Sequence, residues 1–166
     1  PCAGGAVYSP ALTDFIIMKK NTSNMFLTGP KVVKTVTGED VTQEQLGGAT
    51  VHATKSGVAQ FAVDTEEEGI ALIRKLISYM PQNNMEDAPL ALCNDSIARL
   101  EGSLNEIIPD NPNQAYDMYD VIKAIVDNGD YLESAASYAK NIITCFARFN
   151  GQSTRASACL PLLNLP

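Results

Sequence analysis

The sequence is poor in histidine and tryptophan. It has no tryptophan and one histidine, His52. A serine–histidine–aspartate triad needs a histidine with an orienting partner, and the sequence shows none for His52, so a structural or surface role is favoured. No segment approaches the roughly 18 apolar residues that span a bilayer. With 12 Lys and Arg against 19 Asp and Glu, a nucleic-acid partner is disfavoured, because such binders rely on clustered basic side chains.

Metal and nucleotide sites are also without support in the sequence. The four cysteines are Cys2, Cys93, Cys145 and Cys159. They have no C-x-x-C spacing and no second histidine, so we expect reduced thiols in a cytosol-like compartment and no metal site. Neither G-x-x-x-x-G-K-[ST] nor G-x-G-x-x-G occurs, which removes the two common phosphate-binding loops.

What is present predicts a mixed α/β chain. Its 166 residues, 45% of them apolar, are enough for one ordinary domain. Predicted elements are a short helix in AVYSPALTDF, strands at Phe15–Met18 and in MFLTG, a helix stop at Gly47-Gly48, β-prone ATVHAT, a helix from Thr65 to Pro81, a short helix near Ser96–Leu100, a helix between Asp117 and Gly129, and a strand over 141–149. The T-E-E-E run at Thr65 has the form of a capping box.

A pair of adjacent glycines, Gly4 and Gly5, stands between a small apolar stretch and the first predicted helix. Glycines at a helix start let backbone N–H groups approach a ligand and form an oxyanion hole. Close packing of a strand on a helix would require glycine equally well. The spacing of the pair leaves both interpretations open.

Longer segments resemble one family. They are PCAGGAVYSPALTDFIIM, NTSNMFLTGPKVVKTVTGEDVT, QLGGATVHATKSGVA, IPDNPNQAYDM and YAKNIITCFARFNGQ. In this order they are similar to the carboxyltransferase subunit of biotin-dependent acyl-CoA carboxylases and decarboxylases, of the propionyl-CoA carboxylase β and methylmalonyl-CoA decarboxylase type. The resemblance implies an internal fragment of a crotonase-like carboxyltransferase fold, with part of the first domain at 1–81, an interdomain linker at 82–115 and the start of the second domain at 116–152. The family continues with a strand of the type VGIVANQP, so 153–166 is expected to be a divergent tail.

The resemblance also implies the chemistry. Carboxybiotin on a carrier protein loses CO2, the biotin ureido nitrogen removes the acyl-CoA α-proton, and the enolate attacks CO2; decarboxylases run the exchange in reverse. No side-chain base is required. The implied site residues are Gly4 and Gly5 as the oxyanion hole for the thioester enolate, Ala3, Ala6 and Tyr8 around that turn, and Gly47, Gly48, Ser56 and Gly57 in loops near the acyl-CoA and a subunit interface. For the last four, a role as plain turn residues is an equal alternative.

The implied partners are acyl-CoA, a biotin carboxyl carrier protein, biotin carboxylase or decarboxylase subunits, and further copies of the full subunit in a hexamer. The implied location is the cytoplasm, the mitochondrial matrix, or a membrane-associated complex for a decarboxylase. The first half of the family's first domain and its second oxyanion hole have no counterpart in these residues. A catalytically incomplete, subunit-binding piece is therefore an alternative function. A crotonase-like hydratase or isomerase is a weaker alternative. Those enzymes use side-chain acids near the glycine pair, and none stands out in this sequence.

Overall fold

A computed structural model of the chain describes residues 1–111 and 114–159. The chain forms two compact units, one comprising Pro1–Leu72 with Ala135–Ala139 and the other comprising Ile73–Ser134 with the chain from Lys140 onward. Both contain helices and strands, so the predicted mixed α/β class is confirmed. The predicted domain boundaries after residues 81, 115 and 152 stay a prediction. Residues 112 and 113 of the predicted linker and residues 160–166 of the predicted tail lie outside the described residues.

The first unit alternates short strands with short helices. Its elements are β1 (Cys2–Ala3), a 3-10 turn (Gly4–Val7), α1 (Tyr8–Ala11), β2 (Ile17–Lys19), β3 (Met25–Phe26), α2 (Pro30–Thr37), α3 (Gln43–Gly47), α4 (Ala49–Val51), a π-helical turn (His52–Ser56) and β4 (Phe61–Val63). β1 pairs with β3 and β2 pairs with β4, both in parallel. The buried core lies between these strands and α4 and consists of Val7, Ile16, Met18, Met25, Ala49 and Ala59.

The prediction for residues 49–54 was wrong. The segment ATVHAT was expected to favour a strand, and it forms α4 and most of the π-helical turn. Strand preference is a small effect that packing overrides. Here Ala49 is fully buried in the core and Ala53 is 6% exposed, while the Thr54 hydroxyl donates to the Thr50 carbonyl at 2.8 Å. Burial of the two alanines and satisfied polar groups therefore decide the conformation.

The helix predicted from Thr65 is α5 (Glu66–Ile77). The Glu68 N–H donates to the Thr65 hydroxyl at 3.1 Å, and the Glu68 carboxylate accepts from the Asp64 N–H at 2.9 Å. Side chain and backbone therefore satisfy each other at the start of the helix as in a capping box, with the acceptor bond reaching one residue further back than expected.

The second unit is built around an antiparallel sheet. Its elements are α6 (Leu104–Ile107), α7 (Met118–Ile125), a 3-10 turn (Asp127–Gly129), β5 (Tyr131–Ser134), β6 (Ile142–Phe149) and β7 (Gln152–Cys159). The sheet order is β5-β6-β7, with β6 and β7 paired from Phe149↔Gln152 to Ile142↔Cys159. The core of this unit consists of Ile122, Val126, Ile143, Cys145 and Ala147. The predicted buried strand over 141–149 is confirmed, starting one residue later.

Two helix predictions in this unit need correction. Residues Ser96–Leu100 make a single turn instead of a helix, with the Arg99 N–H donating to the Ser96 carbonyl at 2.9 Å. Ile97 is 83% exposed, so no burial supports a short helix that is marginal by itself. The helix capped by Asp117, whose carboxylate accepts from the Tyr119 N–H at 2.9 Å, is confirmed. It ends at Ile125 instead of running to Gly129, because Val126 is extended.

Candidate functional site

The glycine pair lies where β1 ends and the 3-10 turn begins. Gly4 has φ +67°, a left-handed conformation that favours glycine. A Cβ built on Gly4 would lie 3.9 Å from the Leu27 carbonyl oxygen, which is ordinary contact, and a Cβ on Gly5 would meet nothing within 4 Å among the described residues. Gly4 is thus required by the backbone, whereas nothing in the described chain packs closely against Gly5. The packing alternative gains no support at either position.

Strand pairing fixes the position of this turn. The Cys2 N–H donates to the Asn24 carbonyl at 2.7 Å, and the register joins Cys2 to Met25 and Ala3 to Phe26. Gly4 follows Ala3 directly, so the glycine turn leaves the sheet edge at a point set by β3.

The residues next to the glycine turn differ in their contacts and in their exposure. The Cys2 thiol lies 3.5 Å from the Ala6 carbonyl oxygen, and Tyr8, whose N–H donates to the Gly5 carbonyl, is 58% exposed. Ala3 lines a cavity of about 590 Å³. The other residues that line it are Pro1, Cys2, Phe26, Gly29, Pro30, Lys31, Val41, Thr42 and Gln43. A cavity of this size is in the range of small-molecule pockets, and it borders β1, the strand that precedes the glycine pair.

Gly47 and Gly48 end α3, as predicted, and they lie against β3 and α3. A Cβ on Gly47 would collide with the Met25 carbonyl, and one on Gly48 would collide with the Glu44 carboxylate. Asn24 and Gly48 form an isolated antiparallel bridge. Gly47 therefore allows the end of α3 to approach the backbone of β3, whereas the close neighbour of Gly48 is a side chain of α3 itself.

His52 connects the π-helical turn to the same strand. Its Nε2 lies 2.7 Å from the Met25 carbonyl oxygen, and its Nδ1 lies 2.7 Å from the Ser56 hydroxyl. Gly57, at φ +69°, ends the turn with the Tyr138 ring packed against it, and a Cβ there would lie 2.7 Å from a ring carbon. The Ser56 hydroxyl is therefore engaged by His52, and Gly57 serves a close contact.

The glycine turn thus follows β1, which is paired with β3, and the described residues leave open space at Gly5. Backbone N–H groups at such a turn stabilise negative charge on a carbonyl oxygen. The carboxyl transferase domain family matches residues 1–156 of the chain.

The chain belongs to the carboxyl transferase domain family.

Individual relatives agree with this assignment. The chain is 62% identical over 161 residues to the methylmalonyl-CoA decarboxylase subunit alpha of Veillonella parvula, which covers 97% of the chain and 32% of that protein. It is 52% identical over 164 residues to the propionyl-CoA carboxylase carboxyltransferase subunit of Haloferax mediterranei, which covers 99% of the chain and 32% of that protein. The predicted resemblance is therefore confirmed, and the chain spans about a third of the length of these relatives.

A solved structure matches the fold. The transcarboxylase 12S crystal structure, described as a hexamer assembly with hydrolysed methylmalonyl-coenzyme A bound, aligns with a TM-score of 0.92 at 49% identity. The alignment covers 97% of this carboxyl transferase chain and 32% of the transcarboxylase chain. The sequence and the fold therefore point to the same family.

Two tyrosine hydroxyls in the second unit of the carboxyl transferase chain have pKa values that are raised by their surroundings. Burial, together with the nearby Asp130 carboxylate, raises the pKa of Tyr79 to about 12. Burial and a hydrogen bond to Glu133 raise the pKa of Tyr119 to about 12. Both hydroxyls stay protonated at neutral pH and act as hydrogen-bond donors, so neither provides a base near pH 7.

The described residues contain neither a metal-binding cluster nor a membrane-spanning helix. Among residues 1–111 and 114–159, no group of three or more histidine, cysteine, aspartate or glutamate side chains is placed to hold a metal ion. Over the same part of the chain, every helix is too short or too polar to cross a membrane.

The sequence did not reveal the two hydrogen bonds that His52 makes with Ser56 and Met25. Its single occurrence and the absence of a visible partner favoured a structural or surface role, and its half-buried position on a strand carbonyl agrees with the structural one. The missed signal was the His-x-x-x-Ser spacing. Residues four apart face each other only on a helix, and the segment was expected to favour a strand.

Proposed function

We propose that this chain is part of a carboxyltransferase that moves a carboxyl group between carboxybiotin on a carrier protein and an acyl-CoA of the propionyl-CoA and methylmalonyl-CoA class. The proposal rests on family membership and on one observation. Among the described residues, Gly5 has open space beside it, and the preceding residue, Gly4, has the left-handed backbone that favours glycine. In it, the N–H groups of Gly4 and Gly5 donate to the thioester oxygen of the acyl-CoA.

The contribution of these residues is electrostatic and positional. When bound, carboxybiotin supplies the carboxyl group and the nitrogen base, so the chain itself needs no side-chain base. As the α-proton leaves, negative charge grows on the thioester oxygen, and preorganised N–H donors stabilise it more than they stabilise the ground state. Removal of one such donor typically costs about 100- to 1,000-fold in rate.

The remaining predicted site residues have supporting roles in this proposal. Ala3, Ala6 and Tyr8 shape the surroundings of the glycine turn, with Ala3 opening onto the cavity. Gly47, Gly48, Ser56 and Gly57 act from the segments that pack beside β3. Residues 1–81 belong to a crotonase-like first domain, 116–152 begin the second, and the full subunit works as a hexamer with biotin-carrying and biotin carboxylase or decarboxylase subunits.

Because the chain covers 32% of the Veillonella subunit, the test requires a complete protein. We define the grafted subunit as the Veillonella parvula methylmalonyl-CoA decarboxylase subunit alpha with residues 1–156 of this chain in place of its matching segment. Assembled with its partner subunits, it is expected to decarboxylate methylmalonyl-CoA. Loss of activity in a correctly assembled complex would favour the alternative, a catalytically incomplete subunit-binding piece.

Gly5→Val in the grafted subunit tests the oxyanion assignment. The valine side chain fits the fold but occupies the space of the thioester oxygen, so kcat/KM should fall about 100-fold or more. Gly102→Val is the matched control, because a Cβ at Gly102 also meets nothing within 4 Å in the described part of the chain. An unchanged rate in the Gly5 variant would remove the assignment.

A further inference from the structure

We infer that His52 is a positioning residue for the oxyanion hole, acting through β3 and β1. The inference rests on the proposed function and adds a residue that touches neither substrate nor glycine turn. It starts from the hydrogen bonds of the imidazole and follows the strand pairing to Gly4 and Gly5.

The two partners of the imidazole define its hydrogens. A carbonyl oxygen only accepts, so Nε2 carries the hydrogen and donates to the Met25 carbonyl. In the neutral ring Nδ1 is then the acceptor, and the Ser56 hydroxyl donates to it at 2.7 Å. The hydroxyl thus holds the ring in the orientation in which Nε2–H faces β3.

The Met25 carbonyl belongs to the edge of β3 that faces away from β1. Since the Cys2 N–H bonds the Asn24 carbonyl, the polar groups of Asn24 face β1, and those of the next residue point to the opposite side. No described strand pairs with β3 on that side. His52 and the closely packed Gly47 occupy it instead.

The contact of His52 with β3, which we call the brace, is linked to the glycine turn through a few consecutive residues. Met25 is paired with Cys2 and Phe26 with Ala3, and the residue after Ala3 is Gly4. The Leu27 carbonyl, immediately after β3, lies next to Gly4. A shift of β3 toward the side held by His52 therefore moves the glycine turn, and catalytic donors must be held within about 0.5 Å of the productive geometry.

A matched pair of substitutions in the grafted subunit tests this inference. His52→Gln places an amide N–H at the reach of Nε2 and should retain at least a third of kcat. His52→Asn has the same amide one methylene shorter, cannot reach Met25, and should lower kcat about tenfold while KM for methylmalonyl-CoA stays within about twofold. A role in stability alone would lower the melting temperature of both variants and leave the kcat of the assembled enzyme unchanged.

Ser56→Ala gives a second measurement that is independent of how well the His52 variants assemble. Without the hydroxyl that orients the ring, kcat should fall about threefold at constant KM. Thr54→Val is the control, because the Thr54 hydroxyl donates to the Thr50 carbonyl and not to the imidazole. The inference is overturned if the Gln and Asn variants, or Ser56→Ala and Thr54→Val, have equal kcat. If Gly5→Val still abolishes activity in that case, the proposed function stands without the brace.

Discussion

Gly4 and Gly5 are adjacent, but the backbone conformation favours glycine only at Gly4. At Gly4 the backbone is left-handed, and at Gly5 the backbone tolerates a side chain that the surrounding space would admit. Substitutions at the two positions therefore separate the stability of the turn from the chemistry assigned to it.

Gly4→Ala is expected to destabilise the grafted subunit by about 1–2 kcal/mol, because an alanine at φ +67° adopts a strained conformation. Gly38→Ala is the control, since Gly38 has φ +78° at the end of α2 and no described residue lies within 4 Å of its Cβ position. Urea unfolding should show similar losses for both variants, whereas only Gly4→Ala should lower kcat. Equal activity in the two variants would argue against a role for the Gly4 conformation in catalysis.

At the scale of elements, the β6–β7 hairpin depends on one carboxylate. Asn150 and Gly151 both have positive φ, as a two-residue hairpin turn requires, and their N–H groups donate to Asp127 at 2.8 and 2.7 Å. Burial by itself raises the pKa of Asp127, but the Gly151 and Asn150 N–H groups outweigh it, and the pKa lies below its usual range. The ionised carboxylate thus stabilises the hairpin.

Asp127→Asn should destabilise the grafted subunit by about 1–3 kcal/mol at pH 7, because one of the two N–H groups then faces an amide donor. A lowered folded-state pKa gives stability that is present at neutral pH and is lost as the pH falls through that pKa. The difference between variant and parent in urea unfolding should therefore narrow between pH 7 and pH 3. Asp120→Asn, at an exposed ion pair with Lys123, should change little; an equally large effect there would contradict the role of Asp127.

The sequence was most informative about elements whose signals are local. The residues that start α5, the Asp117 cap of α7 and the apolar run of β6 are signals within a few positions of the chain, so pattern and propensity predicted these elements. The burial of β6 alternates along the strand, whereas the prediction was a buried strand. The turn around His52 depends on Met25, 27 residues away, and on burial of Ala49 in the core. Local strand preference opposes the structure there, and the brace on β3 was therefore not foreseen. The glycine pair itself was recognised, but only the backbone angle of Gly4 and the open space at Gly5 distinguished the two interpretations.

At the scale of the whole molecule, each unit has a small buried core beside exposed apolar side chains. Sixteen apolar residues are buried among the described residues, six and five of them in the two core clusters, while Leu12, Met85, Leu92 and Leu100 are each more than 85% exposed. Cores of this size supply little stability by themselves.

The purified 166-residue chain is therefore expected to unfold at low urea, with a midpoint below about 2 M, and to bind a hydrophobic dye in buffer. The grafted subunit should unfold at higher urea and bind little dye. Circular dichroism and dye fluorescence measure both proteins under the same conditions. A cooperative transition of the isolated chain above about 4 M, together with measurable acyl-CoA affinity, would contradict this and show a self-sufficient binding domain.

The contact between Gly57 and Tyr138 can be followed by nuclear magnetic resonance. An aromatic ring packed directly against a glycine Cα displaces the resonances of the two α-protons through its ring current. Because Gly57 follows Ser56 immediately, the displaced glycine signal is present only while the turn that carries Ser56 and His52 is folded. Selective isotope labelling of glycine therefore shows, for each variant, whether a loss of activity is accompanied by unfolding of this turn.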